Sequence, residues 1–227
     1  MILSGTEIKR YRDRGTIVID PFIPAHLGPN SYDVCLGDWY YRERIERASS
    51  YYNIYSEEDV SRVWEPGRAR TYAELIERGE VSPELDFAYT DRLILLQPGE
   101  TILGHTVEYV GGRVDNEDPS IGITTGMHAR SSTGRSLLCV CKGAGFGDVG
   151  FISRWTMEIT SFSQHHVIPL KVGERIAQIE FSFVSSPRLT YSGRYQEGRD
   201  LESIKAGWVP ALMLPRLHLS RDSAASV

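Results

Sequence analysis

The feature that most constrains the fold of this chain is a series of short apolar segments, separated by turns, between residues 93 and 184. Residues 97–100 form a turn sequence with proline at its second position, and the glycine-containing 171–173 separates the last two segments. Many short strands joined by Gly and Pro turns are typical of barrels and jelly-roll sandwiches. We therefore predict a mostly β chain that forms a barrel or a jelly-roll-like sandwich, with a few short helices. The predicted strands are 93–96, 102–110, 121–125, 136–140, 154–160, 167–170 and 175–184.

Two short sequences of capping-box type predict helices outside this series. Residues 4–7 and 71–74 each place a Ser or Thr three positions before a Glu, so that each side chain can satisfy a free amide at a helix start. The first helix is expected to end near Arg14, because a glycine follows it, and the second to end near Gly79.

The remaining N-terminal segments are less regular. Two short strands are predicted at 16–20 and 32–36, the second ended by Gly37. Residues 42–70 are charged, rich in Tyr and Ser, and without clear periodicity, which indicates a long surface excursion. We interpret the region near 42–90 as an insertion.

Length and charge limit the class of protein. A chain of 227 residues suits one all-β domain or two small ones, and we assign a single domain to 1–227 with a flexible tail from about residue 186. Its net charge of -5 argues against a general nucleic-acid coat, which needs a basic face. A small anionic ligand remains compatible with this net charge, because a local cluster of arginines can outweigh the negative charge of the whole chain.

Cysteine usage and hydropathy predict a cytoplasmic protein. The three cysteines (Cys35, Cys139 and Cys141) have neither zinc-site nor disulfide-framework spacing, so we expect reduced thiols. No segment approaches the roughly 20 apolar residues that a membrane span requires. The first residues are followed at once by charged ones, which is unlike a secretory signal.

Glu158 is the strongest candidate for proton transfer. Side chains alternate along the predicted strand 154–160, and Glu158 falls on the face opposite the apolar one. A carboxylate in a partly dry cavity moves protons near neutral pH. Taken alone, however, a solvated glutamate on an outer strand face is the commoner case. The apolar face consists of Trp155, Met157 and Ile159.

Three further segments suggest a nucleotide-like ligand with phosphate groups. In Arg130-Ser131-Ser132, the guanidinium group and the hydroxyls are suited to phosphate oxygens, although a polar turn that links loops fits equally well. Asp148 lies in a glycine-rich hairpin, where it can hold a sugar hydroxyl or a water, or simply form the turn. Residues 191–198 carry Tyr and Arg and can order over a polyphosphate, or remain a basic tail.

Five segments together resemble the dCTP deaminase branch of the dCTP deaminase/dUTPase superfamily. They are the opening helix at 1–8, the first β motif at 29–38, the arginine-serine-serine motif at 130–135, the hairpin and strand at 144–158, and the strand at 173–179. The resemblance implies a distorted β-barrel of the dUTPase type, a homotrimer with active sites between subunits, and hydrolysis of a cyclic amidine C–N bond. The implied reaction converts dCTP to dUTP and ammonia without zinc, with Mg²⁺ held through the substrate phosphates.

The resemblance also implies roles for individual residues. Glu158 matches the glutamate that activates water for attack on C4 of cytosine, and Ser131 and Arg135 match residues that position the water and the glutamate. Gly147 departs from the pattern, in which an apolar residue precedes the aspartate. The implied substrate-binding residues are Arg130, Ser132, Ala144, Asp148, Tyr191, Arg194 and Gln178.

Other activities remain open on the sequence. Both Asp148 and Glu158 are present, so a bifunctional deaminase and dUTP diphosphatase, or a dUTPase that releases dUMP and pyrophosphate, is an alternative. A second alternative is a catalytically altered, nucleotide-binding regulatory protein. By resemblance, dTTP is expected to inhibit the deaminase.

Overall fold

The computed structural model describes residues 1–44, 51–196 and 198–220, and twelve strands and five α-helices lie in these ranges. The strands are β1 (Ile17–Asp20), β2 (Tyr32–Glu43), β3 (Trp64–Arg68), β4 (Arg70–Thr71), β5 (Arg92–Leu96), β6 (Thr101–Gly112), β7 (Ile121–Ala129), β8 (Leu138–Cys139), β9 (Phe146–Gly147), β10 (Ile152–Ser161), β11 (Ile168–Lys171) and β12 (Arg175–Ser185). The helices are α1 (Gly5–Asp13), α2 (Glu57–Val63), α3 (Tyr72–Glu77), α4 (Ser131–Arg135) and α5 (Leu201–Gly207).

The strands form two antiparallel sheets. The larger, nine-stranded sheet has the order β8-β10-β6-β2-β12-β7-β9, with β1 added on β6 and β3 on β2. The smaller sheet has the order β11-β5-β4. The large sheet curls around one apolar core, so the predicted fold, a mostly β distorted barrel with few short helices, is confirmed. No helix in the described ranges has the length and apolar character that a membrane crossing requires.

Strand β10 divides its side chains between core and surface, as its alternation predicts. Trp155, Met157 and Ile159 are at most 4% exposed and pack in the main core. Burial of each such side chain contributes about 1.5–3 kcal/mol. Arg154 and Glu158 therefore point to the opposite face of the strand.

Helix starts also follow the sequence. At α3 the predicted capping box is complete, because the Thr71 hydroxyl accepts from the Glu74 amide (3.3 Å) and the Glu74 carboxylate accepts from the Thr71 amide (2.8 Å). At α1 the predicted capping box is only half formed in the described chain: the Ser4 hydroxyl accepts from the Glu7 amide, but the Glu7 carboxylate pairs with Arg10 at 3.1 Å instead of reaching back to the Ser4 amide.

The prediction that Gly37 ends the second strand is wrong. Strand β2 continues through this glycine to Glu43, with an irregularity in its pairing to β6. The His105 ring occupies the space that a side chain would need, since a Cβ at position 37 would lie 2.0 Å from His105 Cε1. Gly37 is therefore required by close packing within a strand rather than by a turn.

The predicted excursion contains more regular structure than its composition suggested. Residues 45–50 lie outside the described residues, but α2 and β3 follow them, and β3 pairs with the extension of β2. The Ser56 hydroxyl caps α2 by accepting from the Asp59 amide.

The chain after residue 186 packs on the barrel over much of its described length. Ile204 of α5 is buried against Val18, Tyr109 and Ile152, and Trp208 joins the same cluster. Because β10 and β6 supply two of these partners, the C-terminal segment covers the outer face that carries Glu158.

His105 makes the stability of the fold depend on pH. Burial is the largest cause that lowers the pKa of His105 to about 4, against an ordinary value of 6.5. Its Nδ1 contacts the Thr106 carbonyl oxygen at 2.8 Å and its Nε2 accepts from the Trp39 amide at 3.2 Å, so the neutral ring fits its site.

We predict that this group removes stability as pH falls from about 6.5 to about 4, because the unfolded chain binds a proton there and the folded chain does not. The loss is about 1.4 kcal/mol per pH unit, or about 3 kcal/mol in total. Urea unfolding of the protein and of His105→Gln at several pH values measures it. The variant should show a smaller slope over this range, and equal slopes would contradict the prediction.

Candidate active site

The outer face of β10 lines a cavity of about 830 Å³. The hairpin around β9 lines part of this cavity, and the apolar C-terminal residues Leu212–Pro215 and Leu217 line another part. Met213 anchors that segment, because it is buried with Tyr41 and Leu103. The cavity therefore lies between the barrel and the C-terminal chain, and it is large enough for a nucleotide-sized ligand.

Glu158 is the half-buried carboxylate of this cavity. It lies opposite Leu103 of β6 in the strand register. Its Oε2 atom is fully buried and has no hydrogen-bond partner among the described residues. A buried, unpaired polar atom costs about 1–3 kcal/mol, and more when the group is charged. This arrangement is typical of a carboxylate that meets a ligand or a water.

The hairpin brings Ala144 and Asp148 to the same cavity. Strand β9 pairs with β7, where the Thr124 hydroxyl donates to the Gly147 carbonyl oxygen at 2.7 Å. A Cβ at Gly147 would lie 2.3 Å from the Thr125 hydroxyl oxygen and 2.6 Å from the Trp155 ring. The departure from the family pattern at this position thus has a steric reason, since the glycine lets the hairpin lie against a core tryptophan.

Tyr191 of the predicted tail also lines the cavity. Its amide donates to the Val149 carbonyl oxygen at 2.8 Å, and its ring meets the Phe151 ring edge-on at 5.0 Å. Gln196 extends the attachment, because its side-chain oxygen accepts from the Ile152 amide at 2.7 Å. These contacts hold residues 191–196 along the hairpin and the start of β10.

Arg194 has partners in the C-terminal chain itself. Its Nη1 donates to the Arg216 carbonyl oxygen at 3.2 Å, and Arg216 Nη1 donates in return to the Arg194 carbonyl oxygen at 2.7 Å. Among the described residues, those that line the cavity do not include Arg194.

The arginine-serine-serine motif lies elsewhere on the chain. It starts α4, a single helical turn, with Ser131, Ser132 and Arg135 exposed. Arg130 Nε lies 3.0 Å from Asp33 Oδ2, to which Arg175 also donates at 3.2 Å.

A second cavity, of about 330 Å³, adjoins this motif. Arg130, Ser132, Lys171 and Arg175 contribute to its lining, and in the described chain it shares no lining residue with the cavity of Glu158. Gln178 lies half-buried on β12, opposite Asp33 and His128, and lines neither of the two.

One chain therefore brings together only part of the predicted site. Glu158, Ala144, Asp148 and Tyr191 share the large cavity. Arg130 and Ser132 line the small one, and the other predicted residues line neither of these two cavities. The residues outside both are Ser131, Arg135, Gln178 and Arg194.

The structure also adds cavity residues that the sequence did not assign to a site. Arg154 lies between the Tyr109 ring (5.1 Å) and the Trp208 ring (4.8 Å), and its buried Nε has no hydrogen-bond partner in the described chain. Lys142 Nζ donates to the Thr101 hydroxyl at 2.8 Å. The alternation of side chains along β10 places Arg154 on the same face as Glu158, so the sequence contained a signal for this residue. No sequence pattern pointed to Lys142.

The Cys141 thiol near the site is not activated. Burial raises the pKa of Cys141, and the nearby Glu158 carboxylate adds to the effect. Because a thiolate is the reactive form, this cysteine is unsuited to act as a nucleophile.

A curled antiparallel barrel with one half-buried carboxylate in a nucleotide-sized cavity defines a class of protein suited to acid–base chemistry on a small ligand. The chain belongs to the dCTP deaminase-like family, whose model matches residues 2–184. This membership confirms the resemblance drawn from the five sequence segments.

Curated relatives cover most of the chain. A "dCTP deaminase, dUMP-forming" of Kocuria rhizophila is 30% identical over 207 residues, which are 88% of this chain and 91% of that protein. A protein of the same name from Bifidobacterium longum is 33% identical over 189 residues, 82% of this chain and 81% of the relative. The crystal structure of a 2'-deoxycytidine 5'-triphosphate deaminase from Agrobacterium tumefaciens matches with a TM-score of 0.48 at 16% identity, over 79% of this chain and 46% of that one.

The hairpin geometry predicts that Gly147→Ala destabilises the protein. The added methyl group meets Thr125 and the Trp155 ring, and overpacking of this kind costs about 1–3 kcal/mol. Gly143→Ala is the matched control, because a Cβ there has no atom within 4 Å. Urea unfolding measures both, and equal stabilities for the two variants would refute the steric explanation.

Proposed function

We propose that this protein deaminates dCTP and then cleaves the resulting dUTP, so that dUMP, pyrophosphate and ammonia leave the enzyme. The observation that carries the proposal is the shared cavity of Glu158 and Asp148, two carboxylates suited to two hydrolytic steps. The relatives named as dUMP-forming support this alternative over release of dUTP, which was the main prediction from the sequence.

In the first step, Glu158 accepts a proton from water as the water oxygen attacks C4 of cytosine. The same carboxyl group passes that proton to N3 and then assists departure of the amino group as ammonia, so one group acts as base and acid. Its buried, unpartnered oxygen supports this role. Ser131 and Arg135 are proposed to hold the water and the carboxylate in position.

In the second step, a second water attacks the phosphorus next to the sugar, and the bond to pyrophosphate breaks. Asp148 is exposed at the cavity and is proposed to orient that water or a sugar hydroxyl. Its backbone position is fixed by the hairpin, since Gly147 packs against Trp155.

Binding is proposed to use the base and the triphosphate as separate handles. Backbone groups at Ala144 hold the base, while Arg130, Ser132, Tyr191, Arg194 and Gln178 hold the nucleotide. Carboxylate oxygens of Glu43 and Asp148 at the large cavity are the hard donors that suit Mg²⁺. The metal would enter with the substrate phosphates and neutralise part of their charge. We propose no zinc in either step.

The separation of the two cavities supports a site shared between subunits. We propose a homotrimer in which α4 of one subunit completes the cavity of Glu158 in the next. In this arrangement the exposed Ser131 and Arg135 of one subunit contact the nucleotide that occupies the Glu158 cavity of the neighbouring subunit. Cytoplasmic location and inhibition by dTTP stay predictions.

We predict that the purified protein converts dCTP with Mg²⁺ to dUMP, pyrophosphate and ammonia. Glu158→Gln should lower ammonia release by about 10²–10⁴-fold, the usual contribution of general acid–base catalysis. The same variant should still cleave dUTP, because that step does not need this carboxylate. Glu180→Gln is the matched control, a half-buried glutamate on strand β12 that is not among the described residues lining the cavity.

The products separate the alternatives when they are resolved by chromatography. Accumulation of dUTP without dUMP would restore the main prediction from the sequence. Tight nucleotide binding without turnover would support the regulatory alternative. Ammonia release by Glu158→Gln at the native rate would overturn the mechanism.

A mixing experiment tests the shared site. Glu158→Gln and Arg135→Ala chains are each expected to release almost no ammonia from dCTP, whereas a refolded 1:1 mixture should regain about one quarter of the native rate of ammonia release if each site draws on two subunits. Mixing Glu158→Gln with Glu158→Ala is the control and should regain none. A mixture of the first pair that stays inactive would contradict the shared site.

A further inference from the structure

A second set of reactive side chains lies away from both cavities. His26, from the 3₁₀ turn Pro24–His26, meets Cys35 of β2 and Glu108 of β6. Their ligand-type atoms all lie within 4.8 Å of one another, and His26 Nδ1 is 3.9 Å from Cys35 Sγ. Among the described residues, those that line either cavity do not include any of the three.

The cluster is largely closed off from solvent. Cys35 is 4% exposed and Glu108 is 1% exposed, while His26 is half-buried and closes the outer side. Strand alternation explains the position of Cys35: its neighbours Val34 and Leu36 point into the main core, so Cys35 points to the other side of β2.

Glu108 has one satisfied oxygen and one unsatisfied oxygen. The Oε2 atom accepts from the Cys35 amide at 2.9 Å, whereas Oε1 is buried without a hydrogen-bond partner in the described chain. A buried carboxylate needs a charged or hydrogen-bonded partner, because desolvation of an unpaired charge is costly. A cation between the three side chains would supply that partner.

The donor set selects the type of cation. A thiolate, an imidazole nitrogen and a carboxylate oxygen are the three kinds of ligand that Zn²⁺ takes in proteins, at about 2.0–2.3 Å. Tetrahedral ligands at those distances lie about 3.3–3.6 Å apart. The observed separations are 3.9 Å between His26 Nδ1 and Cys35 Sγ and at most 4.8 Å for the other pairs, so metal binding requires the three side chains to move closer together. A hard cation such as Mg²⁺ is disfavoured by the sulfur.

We propose that His26, Cys35 and Glu108 form a zinc-binding site, with water in the fourth position. The site is independent of the proposed deaminase chemistry. The site would link the turn after β1 and strand β2 to strand β6, which lies far from both in the sequence.

The position of the cluster gives it a structural role next to the arginine-serine-serine motif. Cys35 and Asp33 are two residues apart on β2 and share one face, and Asp33 holds Arg130 at 3.0 Å. Bound zinc would therefore fix the strand segment that positions this arginine.

The test uses the full chain, stripped with a chelator and then incubated with Zn²⁺ or Co²⁺ alone. We expect one metal ion per chain by elemental analysis after removal of free metal. Bound Co²⁺ should show the near-ultraviolet absorption of thiolate-to-metal charge transfer, which reports on sulfur ligation directly.

Variants identify the ligands. Cys35→Ser should lose the charge-transfer band and weaken Zn²⁺ binding by more than about 100-fold. Loss of a residue that only hydrogen-bonds a metal ligand costs up to about 100-fold, and loss of a ligand itself should cost more. His26→Gln, at a half-buried position, and Glu108→Gln, which keeps an acceptor for the Cys35 amide, should weaken it as well. Cys139→Ser and His166→Gln are matched controls outside the cluster and should bind as the native chain does.

Several results would overturn the site. The first is a stripped native chain that takes up neither Zn²⁺ nor Co²⁺. The second is an affinity for Zn²⁺ that is the same in Cys35→Ser, in His26→Gln and in the native chain. If Cys35→Ser does not fold, the charge-transfer band of the native chain and the affinity of His26→Gln decide. Deaminase activity does not enter this test, so its failure leaves the proposed function untouched.

Discussion

The antiparallel pairing of β10 with β6 is the interaction on which both the core and the candidate site depend. It places Glu158 opposite Leu103 and Met157 opposite Gly104, so that one strand supplies the apolar interior and the cavity surface. A slip of one residue would exchange the two faces, with a carboxylate in the core and a methionine in the cavity. The buried tryptophan, methionine and isoleucine of β10 thus fix the direction of the candidate catalytic group through packing alone.

Much of this strand pattern was available from the sequence because it is local. The alternation in β10 and the capping box before α3 depend on residues two to four positions apart, and both predictions are confirmed. The end of β2 was predicted wrongly because Gly37 has a non-local cause: it makes room for His105, which comes from another strand. Helix α2 and strand β3 could not be predicted from the composition of residues 42–70. Strand β3 also has a non-local cause, since it is stabilised by pairing with the part of β2 that lies beyond the predicted end of that strand.

The candidate site was predictable in its residue types rather than in its assembly. Glu158, Asp148 and Tyr191 line one cavity, but α4 lies at a separate cavity, and spacing along the chain carries no information about that separation. The cluster of His26, Cys35 and Glu108 has no sequence signature for the same reason, because a turn and two strands meet only in the folded barrel.

The contact between Gly37 and His105 also restricts how this barrel can change over time. Any side chain at position 37 collides with the imidazole, whereas a smaller residue at position 105 leaves the glycine undisturbed. Replacement must therefore proceed in one order, with the histidine lost before the glycine. Descendant or designed sequences that carry a side chain at position 37 together with an intact histidine at 105 should be absent from functional populations.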